Sequence, residues 1–370
     1  MRKLSLLCVA LFIFSALPSS CPAAAERTIT DASGQRKTIP ADISHVICSG
    51  SGCLRLLTYM QAQSMIVGVD DIETRRKRFE ARPYALANPD FKKQPTFGEF
   101  RGHDNPERIL ALSPPPDIIF KTIASMGTNP EELAQKTGIP VIILDSGDLG
   151  EHRLAFYNAL RIIGSVLGKE QRAETVISFF EKNIQQLGIR TANMSPDKKR
   201  SVFIGGVAFK GPHGFQSTEP DYPPFKFVGL RNIAYTTGIN GKGLRHSDVA
   251  KEKLLEWDPN ILFLDLSTLQ FGKQGGGLNE LKTDPAYQTL TAVQQGMVYG
   301  VLPYNGYSQN YGSILANAWF IGKMLYPEQF KDIDPAAKAD AIYTFLVGKP
   351  VFEKMNAAFG NLVFSEISVR

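Results

Sequence analysis

Short apolar runs alternate with helical patterns along most of this chain, and this alternation restricts its fold more than any other feature. Seven runs have the length of fully buried strands: HVIC (45–48), MIVGV (65–69), DIIF (117–120), VIILD (141–145), SVFIGGV (201–207), NILFLDL (260–266) and GMVYGVL (296–302). Helical patterns such as LRLLTYMQA, PERILALS and NPEELAQKTGI lie between them, and Asn-Pro opens the last two. Alternating strands and helices predict an α/β fold with parallel sheets.

A helical segment divides the chain into two parts. Apolar residues recur with helical spacing from Glu151 to about Leu187, which predicts one long amphipathic helix. The alternation of strands and helices restarts after the segment NMSPDKKR. A chain of 370 residues is longer than one ordinary core requires. We therefore predict an N-terminal α/β lobe over 26–150, a helical segment with the interlobe helix over 151–194, and a C-terminal α/β lobe with terminal helices over 195–370.

Residues 1–25 have the pattern of a secretory signal peptide, with a basic start, an apolar run from Leu4 to Leu17, and small residues that end at Ala25. The run is shorter than the ~20 residues that span a bilayer, and no later stretch is long and apolar enough. Cleavage after Ala25 predicts a freely soluble periplasmic protein, with lipid attachment at Cys21 as the alternative. The net charge of +5, without a basic patch among aromatic residues, does not indicate a nucleic-acid partner.

Cleavage at that site leaves Cys48 and Cys53 as the cysteines of the exported chain, on either side of a Ser-Gly-Ser-Gly loop. Disulfides persist outside the cytoplasm, so one interpretation is a bond that closes this loop. The other is two small buried thiols at a strand end and a helix start. A zinc site is less favoured because no further Cys or His lies nearby in the sequence.

The same loop follows a predicted strand and precedes a predicted helix. Ligands of parallel α/β sheets bind outside the carboxyl ends of the strands, and helix N-termini attract anionic oxygens. We therefore expect Ser49, Gly50 and Ser51 to contact an anionic ligand with their backbone amides and hydroxyls. The G-x-S-x-G motif of a nucleophile elbow is absent and the five histidines are scattered, so an exported enzyme is the weaker alternative and no catalytic residue is predicted.

Basic and aromatic side chains are frequent in the other loops that follow predicted strands. The further candidates for ligand binding are Arg101, Lys121, Lys210, His213, Arg245, Tyr304, Tyr307 and Asn310. Arg and Lys give charge-assisted hydrogen bonds to anionic oxygens, and Tyr offers a flat apolar ring with a polar tip. This set favours an anionic, partly aromatic metal chelate. The pairs His103–Asp104 and His246–Asp248 keep a free metal ion open as an alternative, beside an oxyanion.

Several segments, in order behind the signal peptide, resemble the substrate-binding proteins of ABC importers for iron chelates, siderophores and cobalamin, the class III periplasmic binding proteins. TITDASGQRKTIP (28–40) resembles their opening hairpin, and HVICSGSGCLRLLTYMQAQSMIVGVDD (45–71) resembles their first strand, ligand loop, helix and second strand. NPERILALSPPPDIIF (105–120) and DVAKEKLLEWDPNILFL (248–264) are similar to the helix-Pro-Asp-strand unit of each lobe, with Asn260 in place of the usual Asp.

The resemblance implies two α/β lobes with a ligand cleft between them, joined by one long rigid helix that limits closure. It implies a monomer that is not an enzyme, has no cofactor of its own, captures an iron chelate such as a siderophore, and delivers it to an importer permease dimer with its ATPase subunits. Glu107 and Glu252 occupy matching places in the two units and are implied to pair with permease arginines. The alternative is an ordinary helix-start glutamate favoured by the helix dipole.

Overall fold

The computed structural model describes residues 25–75, 78–122, 127–194, 201–238 and 242–370. Its strands are β1 Glu26–Thr30, β2 Arg36–Pro40, β3 Val46–Ser49, β4 Val69–Asp70, β5 Thr96–Glu99, β6 His103–Asp104, β7 Ile118–Thr122, β8 Val141–Leu144, β9 Val202–Gly205, β10 Ser217–Thr218, β11 Ser247–Asp248, β12 Ile261–Asp265 and β13 Val298–Val301. Its α-helices are α1 Cys53–Tyr59, α2 Asp71–Thr74, α3 Pro83–Ala87, α4 Pro106–Leu110, α5 Pro130–Thr137, α6 Arg153–Leu167, α7 Glu170–Thr191, α8 Pro223–Phe227, α9 Lys251–Trp257, α10 Gly276–Thr283, α11 Thr291–Gln294, α12 Tyr311–Leu325, α13 Pro335–Val347 and α14 Phe352–Ala358. Residues 1–24 of the predicted signal peptide, with Cys21, lie outside the described residues.

Each lobe is built on a parallel three-stranded sheet. In the first lobe the strand order is β3-β7-β8, and in the second it is β13-β12-β9. Cys48 lies opposite Phe120 in the first sheet, and Leu262 lies opposite Phe203 in the second. A smaller sheet, β4-β5-β6, with β6 antiparallel to β5, extends the first lobe. The strands of both parallel sheets are almost wholly buried, as continuous apolar runs require, and the predicted α/β fold with two lobes is confirmed.

The helical segment between the lobes contains two helices where the sequence predicted one. Gly168 ends α6 in the left-handed conformation, with a φ of 65°, and the 22-residue α7 begins two residues later. Glycine adopts this conformation at little cost and therefore often ends a helix. The apolar pattern with helical spacing continues on both sides of Gly168, so it does not reveal the break. The two helices pack against each other. Within the described ranges, no helix combines the length and apolar character needed to cross a membrane.

Four aromatic rings join the elements of the two lobes beneath their sheets. Phe156 of α6 stacks on Tyr311 of α12, with ring centroids 4.0 Å apart. Phe180 of α7 meets the edge of Phe156 at 5.2 Å, and Tyr59 of α1 lies 6.2 Å from Phe180. These contacts belong to a hydrophobic core that extends through both lobes. A packed core of this kind restricts relative motion of the lobes more than a flexible strand linker would.

A buried hydrogen bond also ties α7 to α12: Trp319 Nε1 donates to Asn183 Oδ1 at 3.0 Å. Asn183→Leu leaves the indole N–H without its acceptor, so we expect the free energy of unfolding to fall by about 1–3 kcal/mol in urea titrations followed by circular dichroism. Combined with Trp319→Phe, which removes the donor, the loss should be smaller than the sum of the two single losses. Strictly additive losses would show that this hydrogen bond does not contribute.

Candidate ligand-binding cleft

A cleft of about 860 Å³ lies between the two lobes. Loops that follow strands form much of its wall: residues 100–101 after β5, 145–147 after β8, 208–212 after β9, and 303 with 305–309 after β13. The carboxyl ends of parallel strands meet at one edge of each sheet, which is where α/β proteins bind ligands. The cleft therefore lies where the topology of both sheets predicts a binding site.

Three cationic side chains predicted from the sequence line this cleft: Arg101 from the first lobe, and Lys210 and Arg245 from the second. Arg101 lies over the ring of Phe100 at 5.1 Å, and Lys210 lies over the ring of Phe209 at 5.5 Å. Within the described residues, neither Arg101 nor Lys210 forms an ion pair. Arg245 is 3.6 Å from a carboxylate oxygen of Asp148. Arg101 and Lys210 thus place positive charge on both lobes of the cleft without an ion-pair partner among the described residues, although the carboxylates of Glu80, Asp145 and Glu219 also line it.

Unusual backbone conformations are concentrated in the same walls. Arg101, Lys210, Tyr307 and Ser308 have φ values of 65°, 57°, 52° and 67°, in the left-handed region that non-glycine residues rarely adopt. They are four of the eight such non-glycine residues in the described parts of the chain. Each of these conformations costs on the order of 1 kcal/mol or more, so it persists only where surrounding contacts hold it, and such residues cluster at functional sites.

Lys121 and Ser49 support the cleft wall from below and do not line it. Lys121 is buried, forms an ion pair with Asp104, and donates to Gly102 O at 2.9 Å and Ser49 Oγ at 3.2 Å. Ser49 Oγ in turn donates to Asp104 at 2.5 Å. From the sequence, we expected both side chains to face a ligand. A buried ammonium must be paired, and this pairing fixes the backbone at Gly102, next to Arg101.

The Ser-Gly-Ser-Gly loop is covered by the second lobe, and only Ser51 of its residues lines the cleft. Gly50 packs so tightly that a Cβ there would lie 2.5 Å from Thr122 Oγ1. A Cβ on Gly52 would lie 2.9 Å from the Cβ of Ser308, which belongs to the turn after β13. Ser49 and Gly50 are buried and do not line the cleft, so the structure does not place them in the open cradle of backbone amides expected from the sequence.

Cys48 and Cys53 form a disulfide bond that closes this loop. Both residues are buried, one at the end of β3 and the other at the start of α1. The structure thus has the first of the two arrangements that the sequence left open. The bond joins the strand to the helix directly below the cleft.

Arg55 carries the main polar contact between the lobes. Its side chain is buried in the first lobe, and its Nε donates to Asn310 Oδ1 at 3.0 Å. Its Nη2 donates to Gly306 O at 3.2 Å and to Tyr307 O at 3.1 Å. Asn310 is fully buried by this contact, so its side chain faces the protein interior rather than the ligand position expected from the sequence. Arg55 thereby fixes the turn that covers the Ser-Gly loop.

Tyr307 lines the cleft and bridges the lobes through its hydroxyl. Its oxygen donates to Asp70 Oδ2 at 2.5 Å and accepts from the backbone N–H of Arg101 at 3.0 Å. Burial raises the pKa of Asp70 to about 8, although the hydrogen bond from Tyr307 acts in the opposite direction. Nearby Glu73 and Asp104 raise the Asp70 pKa further. Arg101 and Tyr307 are therefore positioned by one hydrogen-bonded unit.

Tyr304 is completely buried, and its hydroxyl donates to the carboxyl of Glu219. Glu219 lines the cleft, whereas the Tyr304 side chain does not, contrary to the sequence expectation. Burial raises the pKa of Glu219 to about 8, and the Tyr304 hydrogen bond and the charge of Arg245 oppose this rise. Glu219 could not be predicted from the sequence, because the two-residue β10 before it is too short to show a period.

A second group of lining residues comes from the segment before α3, which carries no strand pattern. Phe79, Glu80 and Arg82 line the cleft there. Arg82 is buried and paired, with Nε 2.8 Å from Glu80 Oε1 and Nη1 2.8 Å from Glu73 Oε2. Its charge is thus balanced by two carboxylates, so Arg82 shapes the wall without adding a free cation.

The predicted histidine pairs differ in their surroundings. His103 is exposed, and its neighbour Asp104 is engaged by Lys121, so that pair is not available as a joint metal site. His213 does not line the cleft but lies beside His246, whose ring stacks on Phe209.

The two predicted docking residues lie on the surface. Glu107 and Glu252 are both exposed, in the first turns of α4 and α9. Their helices belong to different lobes, so the two carboxylates are presented by separate parts of the molecule.

Similar proteins share this architecture. The chain is 23% identical over 334 residues to the molybdate-binding protein MolA of Haemophilus influenzae, covering 85% of this chain and 89% of that protein. It is 23% identical over 214 residues to the iron-uptake system-binding protein of Bacillus subtilis, covering 56% of this chain and 61% of that protein. The solved structure of MolA bound to molybdate gives a TM-score of 0.64 at 19% identity, covering 88% of this chain and 98% of that one. The TroA-like periplasmic binding protein FepB from Veillonella parvula gives 0.62 at 21%, covering 87% and 96%.

A family model described as periplasmic binding protein matches residues 66–303, well over half of the chain. The chain therefore belongs to the periplasmic binding protein family. Together with the two-lobe fold, this confirms the resemblance to the substrate-binding proteins of ABC importers: the protein is a periplasmic binding protein of an ABC transporter.

The buried Asp70 makes stability depend on pH. Its folded-state pKa of about 8 lies above the ordinary value of 3.8, so stabilisation by its proton is complete below that ordinary value and is lost as pH rises towards 8. We expect the stability advantage of wild type over Asp70→Asn to fall by more than ~1 kcal/mol between about pH 5 and pH 9, since one pKa unit corresponds to ~1.4 kcal/mol. Urea titrations at both pH values measure this.

The exposed Asp90, which pairs with Lys93, is the matched control for this experiment. Asp90→Asn should leave the pH profile of the wild type unchanged between these two pH values. Parallel profiles for wild type and Asp70→Asn would contradict the raised pKa.

Proposed function

We propose that the cleft binds an anionic iron chelate, of the kind that a siderophore forms, and that the protein delivers it to its ABC importer. The observation that carries this proposal is the pair of cations Arg101 and Lys210, which line the cleft from different lobes and have no carboxylate partner in the described parts of the chain. Each has an aromatic ring beside it, Phe100 or Phe209. Guanidinium and ammonium groups bind chelate oxygens, and the rings offer flat apolar surface to the ligand's own rings.

The size of the cleft supports a chelate over a small ion. Its volume of about 860 Å³ is within the range of sites for drug-sized molecules. An oxyanion with four oxygens occupies on the order of 100 Å³, judged from the ~30 Å³ that each water molecule takes up in the liquid. Such an ion would leave most of the cleft to water.

The names of the relatives point to both kinds of ligand, an iron-containing one and a small oxyanion. The Bacillus subtilis relative is an iron-uptake system-binding protein, which agrees with an iron chelate. MolA binds molybdate, so a small oxyanion is the second candidate, favoured by a similarity that extends over 85% of this chain. A free metal ion is less favoured as the cleft ligand, because His152 is the one histidine that lines the described cleft.

We also propose how the protein is exported and in which state it acts. We propose that residues 1–25 direct export and are removed, and that the protein then acts in the periplasm as a soluble monomer, without attachment at Cys21. Binding and delivery, rather than catalysis, is the activity, and the protein requires no cofactor of its own. The metal arrives as part of the cargo.

Substitution of the two cations tests the ligand class. A ferric tris-catecholate complex, which is anionic and aromatic, is titrated into the purified protein by calorimetry. Arg101→Gln and Lys210→Gln should each raise the dissociation constant about tenfold or more, since a hydrogen bond to a charged group contributes ~1.5–3 kcal/mol. Lys92→Gln, which changes an exposed lysine outside the cleft, is the control and should bind like wild type.

Equal affinities of wild type and both cleft variants would contradict this assignment. Tight binding of molybdate, with no binding of the ferric complex, would instead support the oxyanion.

The proposed partner is a permease dimer, and the proposed contacts are Glu107 and Glu252. The two residues take the same place in matching helices, and each lobe presents one of them to solvent. A two-lobed protein with one acidic group on each lobe is complementary to two related permease subunits that each carry basic residues.

Glu107→Ala combined with Glu252→Ala should leave chelate affinity unchanged, because neither residue lines the cleft. Uptake of the labelled ferric complex by cells that carry the complete importer should fall sharply, because two interfacial charge pairs lose their partners. Glu170 and Glu353 are exposed glutamates in the first turns of α7 and α14. Their double alanine variant is the matched control and should transport normally. Normal uptake by the Glu107 and Glu252 variant would make the docking assignment wrong.

A further inference from the structure

Two histidines and an aspartate meet at the rim of the second lobe. His213, His246 and Asp248 each place one possible metal-ligating atom within 4.8 Å of those of the other two. The two imidazole rings are 5.4 Å apart, and His246 Nε2 lies 3.9 Å from Asp248 Oδ1. The three residues come from two segments, the loop after β9 and the stretch that enters strand β11, so the fold rather than a local helix repeat brings them together.

The surroundings of the histidines suit metal ligation. His213 Nε2 lies 2.8 Å from the carbonyl oxygen of Phe209, so in a neutral ring the proton is held there and Nδ1 keeps its lone pair. Ligating histidines commonly donate their other ring N–H to a backbone carbonyl in this way. His246 is held by the Phe209 ring, which stacks on it at 4.2 Å.

The spacing of the three groups requires only a small contraction. Zinc bonds of ~2.0–2.2 Å to nitrogen and oxygen place tetrahedral ligand atoms ~3.3–3.5 Å apart. The Asp248 side chain is 63% exposed and free to rotate inward, and Gly211, with no atom near its Cβ position, gives the His213 loop room to adjust. Three protein ligands with solvent access leave a fourth position for water.

The ligand set selects a class of metal. Imidazole favours Zn²⁺, Ni²⁺ and Cu²⁺, whereas Mg²⁺ and Ca²⁺ prefer sites made of oxygen ligands. With two imidazoles and one carboxylate, the cluster matches the first group.

We propose that His213, His246 and Asp248 form a binding site for a divalent transition metal, with Zn²⁺ as the reference ion, separate from the chelate position in the cleft. The argument for this site does not depend on which ligand the cleft binds, since His213, His246 and Asp248 do not line the cleft.

A metal there would fasten the loop after β9 to strand β11. That loop also carries Phe209 and Lys210, two residues of the cleft wall. Bound metal therefore reduces the mobility of the wall that faces Arg101, and metal binding and cleft occupancy become energetically coupled.

Zinc titration of chelator-treated protein, with no chelate present, tests the site. Wild type should bind one Zn²⁺ by calorimetry, and Co²⁺ should give the visible absorption of a tetrahedral complex. His246→Gln and Asp248→Asn should each weaken Zn²⁺ binding about tenfold to a hundredfold and abolish the Co²⁺ absorption. Loss of an outer-shell partner alone already weakens metal binding by this much. Mg²⁺ should not compete.

His45 provides the matched control, because it lies 4.0 Å from Asp117 in the first lobe, as a histidine–aspartate pair outside the cluster. His45→Gln should bind Zn²⁺ like wild type. Asp248 is exposed, so Asp248→Asn keeps the test valid if His246→Gln misfolds. Hydrogen exchange of residues 209–213 should slow with Zn²⁺ in wild type and not in Asp248→Asn.

Zn²⁺ binding that is equal in wild type and in Asp248→Asn would overturn the site and show adventitious surface binding only. Failure of the protein to bind the ferric complex would leave this result untouched, so the two proposals fail separately.

Discussion

The buried guanidinium of Arg55 is the contact on which the arrangement of the two lobes depends. It extends from α1 of the first lobe and donates three hydrogen bonds to the turn that follows β13 of the second lobe. A buried charge that lost these acceptors would be strongly destabilising, so the turn and the helix are held together. That turn carries Tyr307, whose hydroxyl reaches Asp70 and the backbone of Arg101. The position of a cleft cation is therefore set by a contact that starts in the core.

Four cations near the cleft form two groups that differ in whether a carboxylate pairs with them. Lys121 and Arg82 are buried and neutralised by carboxylates, so their role is to fix the walls. Arg101 and Lys210 have no such partner among the described residues and hold left-handed backbone conformations. Local backbone strain is unfavourable for folding and is usual at functional sites. This contrast, more than the number of basic residues, distinguishes the groups proposed to contact the chelate.

The parts of this structure that follow from local pattern could be predicted from the sequence. Buried apolar runs located the strands of both parallel sheets, and the rule that ligands bind at the carboxyl ends of strands located Arg101, Lys210 and Tyr307. Side-chain direction and long-range contacts could not be predicted in this way. Lys121 and Asn310 lie in the right loops and strands but face inward, because Asp104 and Arg55 engage them. The Ser-Gly loop had the sequence of an open cradle, yet a turn more than 250 residues later in the chain covers it.

The central claim is that the cleft takes an anionic chelate rather than a small oxyanion. The most direct measurement is native mass spectrometry of the unaltered protein in an equimolar mixture of a ferric tris-catecholate complex, haem and molybdate. We expect one dominant adduct, with a single ferric complex per protein, because its catecholate oxygens carry negative charge on all sides and can meet cations from both lobes, whereas haem carries its two carboxylates on one edge; a dominant haem adduct would contradict the siderophore-like ligand. A dominant molybdate adduct would contradict the account.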